Sequence, residues 1–487
     1  MKTFINIKTI AVLLGLITLQ ACSDDFIDVE SQDPNSEDFF NTEEDYQDAL
    51  VGAYDLLQST YINVMLGEIA SDNTLAGGES ATDVIGIQEI DDMIHTPVNQ
   101  QLRDIWGWMY SGVNRANYIM EFQDNLDFAG KNEILAQTRF LRAYYYFELV
   151  KWFGDVPLKV DERIQFGDQF DIDRTPKAEV YAQIEADLIY AADNLPVTQA
   201  EAGRITKGAA QSLLGKVYLY QDKFSEAAQT LDLVINSGNY DLVADYESIF
   251  EQEGENNVES VFEVQYSDQE GAGFGCLQCS EGNVAVGFNG IRNYAGPTFE
   301  SGFSFNVPTQ ESYDFFEEGD IRRDIAILDI EAWSVETGAT YSTGFEHTGF
   351  YNRKYIARQG GLNTPDANLT RANNYRSIRF ADVLLMAAEA YNRGGLGDDV
   401  ARLYLNRVRS RAQLEQVDFS GSELTDAIYD ERRVELMGEG HRFFDLVRTG
   451  RAAQSIDGFV PGKHELFPIP SIEIELAGNR WEQNPGY

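Results

Sequence analysis

Apolar residues recur three and four positions apart over most of this chain, the period of α-helices that each bury one face. The first such run begins at Thr42, where Thr42 and Asp45 read as an N-cap with an acid in the first turn and Ala49, Ala53, Leu56 and Leu57 form the face. The period is lost over residues 71–100, where SDNTLAGGESATD is loop chemistry, and returns over 105–122 in IWGWMYSGVNRANYIMEF. In AQTRFLRAYYYFELVKWFGDVPL, Phe140, Tyr144 and Phe147 fall at i, i+4 and i+7, a single stripe that Gly154-Asp155 and Pro157 terminate. Trp106, Trp108 and Trp152 lie in such stripes and read as core; Trp481, near the C-terminus, reads as packing.

A further amphipathic helix spans about 176–194, followed by ITKGAAQSLLGKVYLYQDKFSEAAQTLDLVI. Here Leu214-Gly215-x-x-Tyr218, then Ala227, match tetratricopeptide spacing, in which small residues let paired helices approach closely. Residues 379–412 and 425–451 read as two more helix pairs. Such pairs cannot bury their faces alone, so the pattern predicts a mainly α fold built as a tetratricopeptide-like superhelix. Between about 241 and 375 the texture changes to Gly, Asn, Ser and aromatics, with ESVFEVQYS as a short strand. A loop-rich lobe of that length inside a folded protein usually carries function. The helical body is therefore expected over about 42–240 and 376–487, with the binding lobe over about 241–375.

The N-terminus adds a location. Lys2 and Lys8 precede the apolar run TIAVLLGLITL, residues 9–19, which is short of the roughly 20 residues a membrane span needs and reads as a signal-peptide core. Leu19-Gln20-Ala21-Cys22 resembles the lipobox of bacterial lipoproteins, which implies cleavage after residue 21 and acylation of Cys22. Ser23-Asp24-Asp25 resembles the acidic signal that directs Bacteroidetes lipoproteins to the cell surface. Residues 22–41, acidic and without helical period, read as a tether.

Charge removes several classes of partner. Acids outnumber bases 80 to 37, a formal net charge of −43. Such a field repels nucleic acid and makes docking on anionic lipid through basic patches improbable. It favours neutral glycans over sulfated or uronic ones, although a positive patch around Arg292 would reverse that preference. Cys276 and Cys279 lie in GAGFGCLQCSEG, a Gly-rich loop rather than a strand-to-helix turn, so a local disulfide fits them better than a redox or zinc role. The four histidines are scattered, and no motif calls for a metal or another cofactor.

Seven segments, in order, carry a resemblance: CSDDF, AQTRFLRAYYYFELVKWFGDVPL, NVPTQESYDFFEEGDIRRD, RSIRFADVLLMAAEAYNRGG, LNRVRSRA, DAIYDERRVELMGEGHRFFDLVRTGR and LFPIPSIEIE…QNPGY. Through them the chain resembles the SusD/RagB family of Bacteroidetes outer-membrane lipoproteins. The resemblance implies four tetratricopeptide-like helix pairs and a lobe that binds carbohydrate. It also implies a SusC-like TonB-dependent transporter as partner and a lipid-anchored, surface-exposed place on the outer membrane.

Carbohydrate binding needs aromatic faces for sugar C–H surfaces and planar amides, acids or Arg for hydroxyl pairs. Trp333, in the polar EAWSVETGATYSTGF, has no stripe to bury it and is the first candidate platform. Tyr341, Phe288, Asn289, Arg292, Tyr294, Phe303 and Phe305 are its candidate companions. In VIGIQEIDDMIHTPVNQQ, where family members often supply another aromatic, His95, Asn99 and Gln100 are the available sugar-facing groups.

No catalytic residues are assigned. Glu431, Glu435, Glu439, His441 and Asp445 cluster in DERRVELMGEGHRFFDLVR, but Arg432, Arg433, Arg442 and Arg448 supply counter-charges, the pattern of a structural ion-pair network. Two other readings remain: a protein-interaction scaffold without a sugar site, and a helical surface glycosidase. Exposed Trp within 270–345 would favour binding; two carboxylates facing each other across a cleft would favour the enzyme.

Overall fold

The computed structural model describes residues 39–487 apart from 166, 169, 170, 272 and 362–365. The leader, Cys22 and most of the tether lie outside the described residues.

Helix α1 (Glu43–Asp55) starts at a full capping box: the Asp45 N–H donates to Thr42 Oγ1 at 3.2 Å and the Thr42 N–H to Asp45 Oδ2 at 2.7 Å. Helix α2 (Tyr61–Ile69) leads into the segment whose pattern reads as loop, and here the structure differs. That segment forms strand β1 (Thr74–Ala76) and helix α3 (Ile85–Asp91), because β1 finds its partner more than 200 residues away, where local pattern does not reach.

Helices α4 (Gln100–Glu121) and α5 (Lys131–Phe153) follow, with β2 (Val156–Pro157) next. Helix α5 is buried on every side rather than along one stripe: Tyr145, Tyr146 and Trp152 are as enclosed as Phe140 and Phe147. It can be so because α4 and α6 (Lys177–Asn194) flank it. Its one fully buried cation, Arg142, reaches α6 in a two-pronged pair with Asp187, both bonds 2.8 Å. Strand β3 (Arg174–Thr175) pairs with β2. Helices α7 (Lys207–Leu219) and α8 (Phe224–Ile235) form the tetratricopeptide-like pair. A Cβ on Gly215 would come within 2.5 Å of the Leu231 side chain, so a larger residue there would force that leucine to shift.

The lobe is assembled from two-stranded pieces. Strand β4 (Ser260–Val264) lies at its root, followed by α9 (Val284–Asn289), β5 (Ile291–Arg292), β6 (Ser301–Gly302) and β7 (Asn306–Pro308). Then come α10 (Gln310–Asp314), α11 (Arg323–Ala326), β8 (Ile327–Asp329), α12 (Ile330–Thr337) and β9 (Phe350–Asn352). β1 pairs antiparallel with β7 and β8 with β9, while β5 and β6 run parallel. Ile291, Phe299, Val307, Leu328, Ile330, Tyr351 and Ile356 give the lobe a small core of its own.

Strand β10 (Tyr375–Arg379) pairs with β4 and feeds helix α13 (Phe380–Arg393), which α8 and α14 (Asp398–Arg411) cover. Helices α15 (Gly421–Glu435), α16 (Arg442–Arg448), α17 (Ala452–Ser455) and α18 (Ser471–Leu476) complete the body. Trp106, Trp152 and Trp481 are buried as their positions predict, and Trp108 is half-buried.

Lobe and body meet on buried charge. Arg322 of the lobe donates to Glu431 (2.6 Å) and Glu435 (2.9 Å) of α15 and to Asp320 (2.7 Å) beside it. Arg379, at the end of β10, donates to Glu259 (2.6 Å), Glu435 (2.8 Å) and Glu439 (2.7 Å). Lys354 donates to Glu439 at 2.7 Å, and Arg411 of α14 to Glu435 at 2.5 Å. Burial alone would raise the Glu435 carboxyl, but Arg411, Arg379, Arg322 and Lys354 hold it well below the usual carboxylate range. On the far side of α15, Asp382 accepts from Arg432 at 2.7 Å and from Lys216 at 3.1 Å. Burial and the Lys216 charge push His441 down to about 3, so it stays neutral.

Removing one member leaves buried charge without compensation. Glu435→Gln is expected to destabilise the protein by roughly 3–5 kcal/mol, the typical cost of breaking a buried pair. Urea unfolding with a midpoint close to wild type would show that the lattice does not hold lobe to body.

Candidate functional site

Residues 291–347 carry most of the predicted site, and they arrive by several short elements. Helix α12 exists because Asp329 Oδ1 accepts the Ala332 N–H at 2.9 Å and Gly338, at φ +75°, ends it after two turns. Trp333 is therefore on a helix, not in a loop, and it is half-buried rather than exposed. Its indole N–H donates to the Tyr294 hydroxyl at 2.9 Å, and its ring lies 5.4 Å from that of Phe299. The Tyr294 hydroxyl in turn donates to the Pro297 carbonyl at 2.7 Å. Tyr294 is buried and ties the edge of the indole to the lobe core.

Tyr341 is half-buried, with its ring 5.7 Å from His347, which lies 6.2 Å from Tyr351. Burial lowers the His347 pKa, so the ring is neutral. Both His347 nitrogens and the Tyr351 hydroxyl are sheltered and have no protein partner. Leaving such enclosed groups unsatisfied costs about 1–3 kcal/mol each. Asn293, exposed and at φ +49°, donates to Ser342 Oγ at 3.2 Å and adds an amide beside them.

Arg292 links this cluster to Phe303. Its guanidinium donates to the Phe303 carbonyl (2.8 Å) and Ser304 Oγ (3.2 Å) and lies 3.6 Å from Asp83, while its own carbonyl accepts the Ser342 N–H at 2.9 Å. Phe303 is half-buried against Phe288, ring to ring at 5.9 Å.

Several predicted companions are placed behind this surface instead of on it. Phe288, Asn289 and Phe305 are buried because Phe288 packs on Phe305 at 5.2 Å and on Tyr61 at 6.5 Å, which seats the lobe on α2. His95, 1% exposed, stacks on Phe467 at 4.7 Å and pairs through Nε2 with the Tyr487 hydroxyl at 2.7 Å; the returning C-terminus encloses it. Asn99 caps α4 through the Leu102 N–H at 3.2 Å and donates to the Gly86 carbonyl at 2.9 Å. Gln100 is exposed but donates to Asp104, one turn along the same helix, at 2.7 Å. Cys276 and Cys279 are joined by a disulfide with Cα atoms 5.3 Å apart.

His347, Tyr351, Asn293 and Ser342 are absent from the predicted set. His347 stands in the same Gly- and Thr-rich stretch as Tyr341, and that neighbourhood was the available signal.

With this geometry in place, comparison with known proteins defines the class. Residues 247–487 match the model of the SusD family, and residues 25–219 match a model described as starch-binding, associating with the outer membrane. SusD-like protein P2 of Formosa agariphila is 30% identical, covering 98% of this chain and 99% of its own. The chain belongs to the SusD family. A solved laminarin-binding SusD-like protein is 35% identical, superposes with a TM-score of 0.84 and covers 92% of this chain and all of its own. Surface glycan-binding protein A from Bacteroides thetaiotaomicron, solved with laminarihexaose, is 28% identical with a TM-score of 0.81, over 91% of this chain and 100% of its own. The mainly helical fold expected from the sequence is the fold of these proteins.

The surface rests on β1, and β1 rests on an unusual acid. Asp91 Oδ2 accepts the Ala76 N–H at 2.8 Å. Burial, with the charges of Asp92 and Glu346 nearby, pushes the Asp91 carboxyl up to about 7 against that hydrogen bond. The folded protein thus keeps a proton that the unfolded chain releases near pH 4, and this contribution to stability is lost as pH rises through about 7. Asp91→Asn keeps the acceptor and removes the charge. The variant is expected to gain in melting temperature over wild type between about pH 5 and pH 8; parallel curves over that range would remove Asp91 as the cause.

Proposed function

We propose that the protein is a cell-surface lipoprotein, anchored at Cys22, that captures a neutral glycan of the laminarin type and passes it to a SusC-like TonB-dependent barrel. The observation that carries the glycan reading is the half-buried Trp333, tied to Tyr294 and packed on Phe299, which shares the small lobe core with half-buried Tyr341. Aromatic rings partly open to solvent offer partners for sugar C–H surfaces, and the exposed Asn293 amide offers one for hydroxyls. The named specificities of the two solved relatives point to the same class of ligand. We read the chain as a binder that does not hydrolyse what it holds, since the acids predicted to cluster around α15 and α16 are paired with arginine and His441 is neutral.

Titration calorimetry with laminarihexaose tests the reading. Wild type is expected to bind without releasing reducing ends, and Trp333→Ala to lose roughly tenfold in affinity. Because the indole is half-buried and hydrogen-bonded, the same variant is also expected to melt a few degrees lower, about 1–2 kcal/mol of stability. Unchanged affinity in a folded variant would place the sugar elsewhere. Reducing sugar that appears in proportion to protein through repurification would make the chain an enzyme.

The transporter part rests on location and on geometry. A lipid at Cys22 and a short acidic tether would keep the body near the membrane, and a polar sugar needs a pore to cross it. Shared tethering raises the effective concentration of the two proteins, and the stacked helix pairs offer a broad rigid face. Mild-detergent extraction followed by affinity purification is expected to bring down a large outer-membrane barrel in near-equal amount. Recovery of the protein alone, under conditions that preserve other membrane complexes, would count against the complex.

A further inference from the structure

The region around the disulfide is not explained by anything above. Among the described residues, Phe274 and Phe419 are the exposed aromatic side chains, and Phe274, 64% exposed, is the one in the lobe. A single exposed apolar ring is ordinary, and alone it carries nothing. What surrounds Phe274 is not ordinary. Gly271, Gly273 and Gly275 flank it, so the loop has little intrinsic stiffness. From Gly273 onward the loop is nevertheless tied down. The Cys276–Cys279 disulfide closes its end, the Cys276 N–H donates to the Gly273 carbonyl at 3.0 Å, and buried Ser280 donates to the Leu369 carbonyl at 2.9 Å.

This staple fixes the ring in a particular place. Phe274 meets Phe303 edge-on, with centroids 5.7 Å apart and planes at 62°. The Phe303 carbonyl is held by Arg292, whose own carbonyl holds Ser342, next to Tyr341. Phe274 is therefore linked to the Tyr341 segment by ring contact and hydrogen bonds, and Tyr341 and Trp333 pack on the same lobe core. An acid stands beside it as well: the position a Cβ of Gly273 would occupy is 2.9 Å from Asp366 Oδ2, and Asp366 is exposed. An aromatic face with a carboxylate at its edge presents a sugar with a C–H surface partner and a hydroxyl acceptor.

We propose that Phe274, presented by the Cys276–Cys279 staple, is a second sugar-stacking position that lengthens the site, so that the protein prefers oligosaccharides of several units to short ones. The proposal rests on the glycan-binding reading of the Trp333 surface. The disulfide acts here as a positioning device: it reduces the number of loop conformations that must be given up when the ring is covered by ligand. Length selection follows because a second stacking face contributes only when one ligand reaches both.

The test is a comparison of laminari-oligosaccharides of increasing length by titration calorimetry. Phe274→Ala is expected to weaken binding of the hexasaccharide about tenfold while leaving the disaccharide nearly unchanged, and Phe274→Trp to restore the loss. Replacing both cysteines by serine is expected to weaken hexasaccharide binding in the same direction with the melting temperature unaltered, since the short loop adds little to the fold. Wild-type binding with Phe274→Ala indistinguishable at every length removes this proposal and leaves the Trp333 site standing. Equal losses for disaccharide and hexasaccharide would also overturn it, by showing one position rather than two. Unchanged sugar affinity with reduced recovery of the outer-membrane barrel would make Phe274 a partner contact instead. A wild-type protein that binds none of the series removes the glycan reading and this proposal together.

Discussion

Everything in the lobe depends on paired charge at its root. Glu435 receives three arginines, from the lobe (Arg322), from β10 (Arg379) and from α14 (Arg411). Each of these ions is enclosed, so each costs several kcal/mol to desolvate unless the others are in place. The consequence is geometric more than energetic. A hydrophobic seam tolerates sliding, whereas a guanidinium shared among Asp320, Glu431 and Glu435 has few acceptable positions. A lobe made of two-stranded ribbons and short helices has little regular structure to orient it, and the lattice supplies the missing register.

From that root the surface is built outward in layers of decreasing enclosure. Phe288 and Phe305 pack the lobe on α2 and are buried; Phe303 and Arg292 form the next layer and are half-buried; Asn293 and Phe274 stand in solvent. The Trp333 branch repeats this order, with Phe299 and Tyr294 buried and Trp333 half-buried. A ligand meeting such a surface loses little to side-chain ordering, because the aromatic groups are already held from behind.

How far the sequence revealed this depends on the range of each interaction. The Thr42–Asp45 box is contained in four residues and could be read directly. So could the structural role of DERRVELMGEGHRFFDLVR, where Arg432, Arg448 and Asp445 meet within a few turns of one another. Gly215 was legible because tetratricopeptide packing demands a small residue at that spacing. The errors fall where the partner is remote. His95 read as surface because its neighbours in sequence are loop residues, but Tyr487, 392 positions away, covers it. Trp333 read as an exposed loop residue because α12 is too short to show a stripe and packs through one ring instead of a face. Phe274 carries no local signal, since nothing near it in sequence distinguishes a Phe between glycines from a Phe in a core.

The choice between neutral and anionic ligands comes down to Arg292. With a formal charge of −43, the protein as a whole repels anions, and a local positive patch is what would be needed to overcome that at short range. Arg292 lies beside the aromatic surface, yet its guanidinium is spent on the Phe303 carbonyl, on Ser304 and on proximity to Asp83. A sulfate or uronate arriving there would have to displace Asp83 and break the bonds that position Phe303. Its charge would then be set against the very contacts that hold the aromatic surface in place. A neutral sugar makes no such demand and leaves Arg292 where it is. The arrangement that makes Arg292 a structural residue is thus the same one that favours an uncharged ligand.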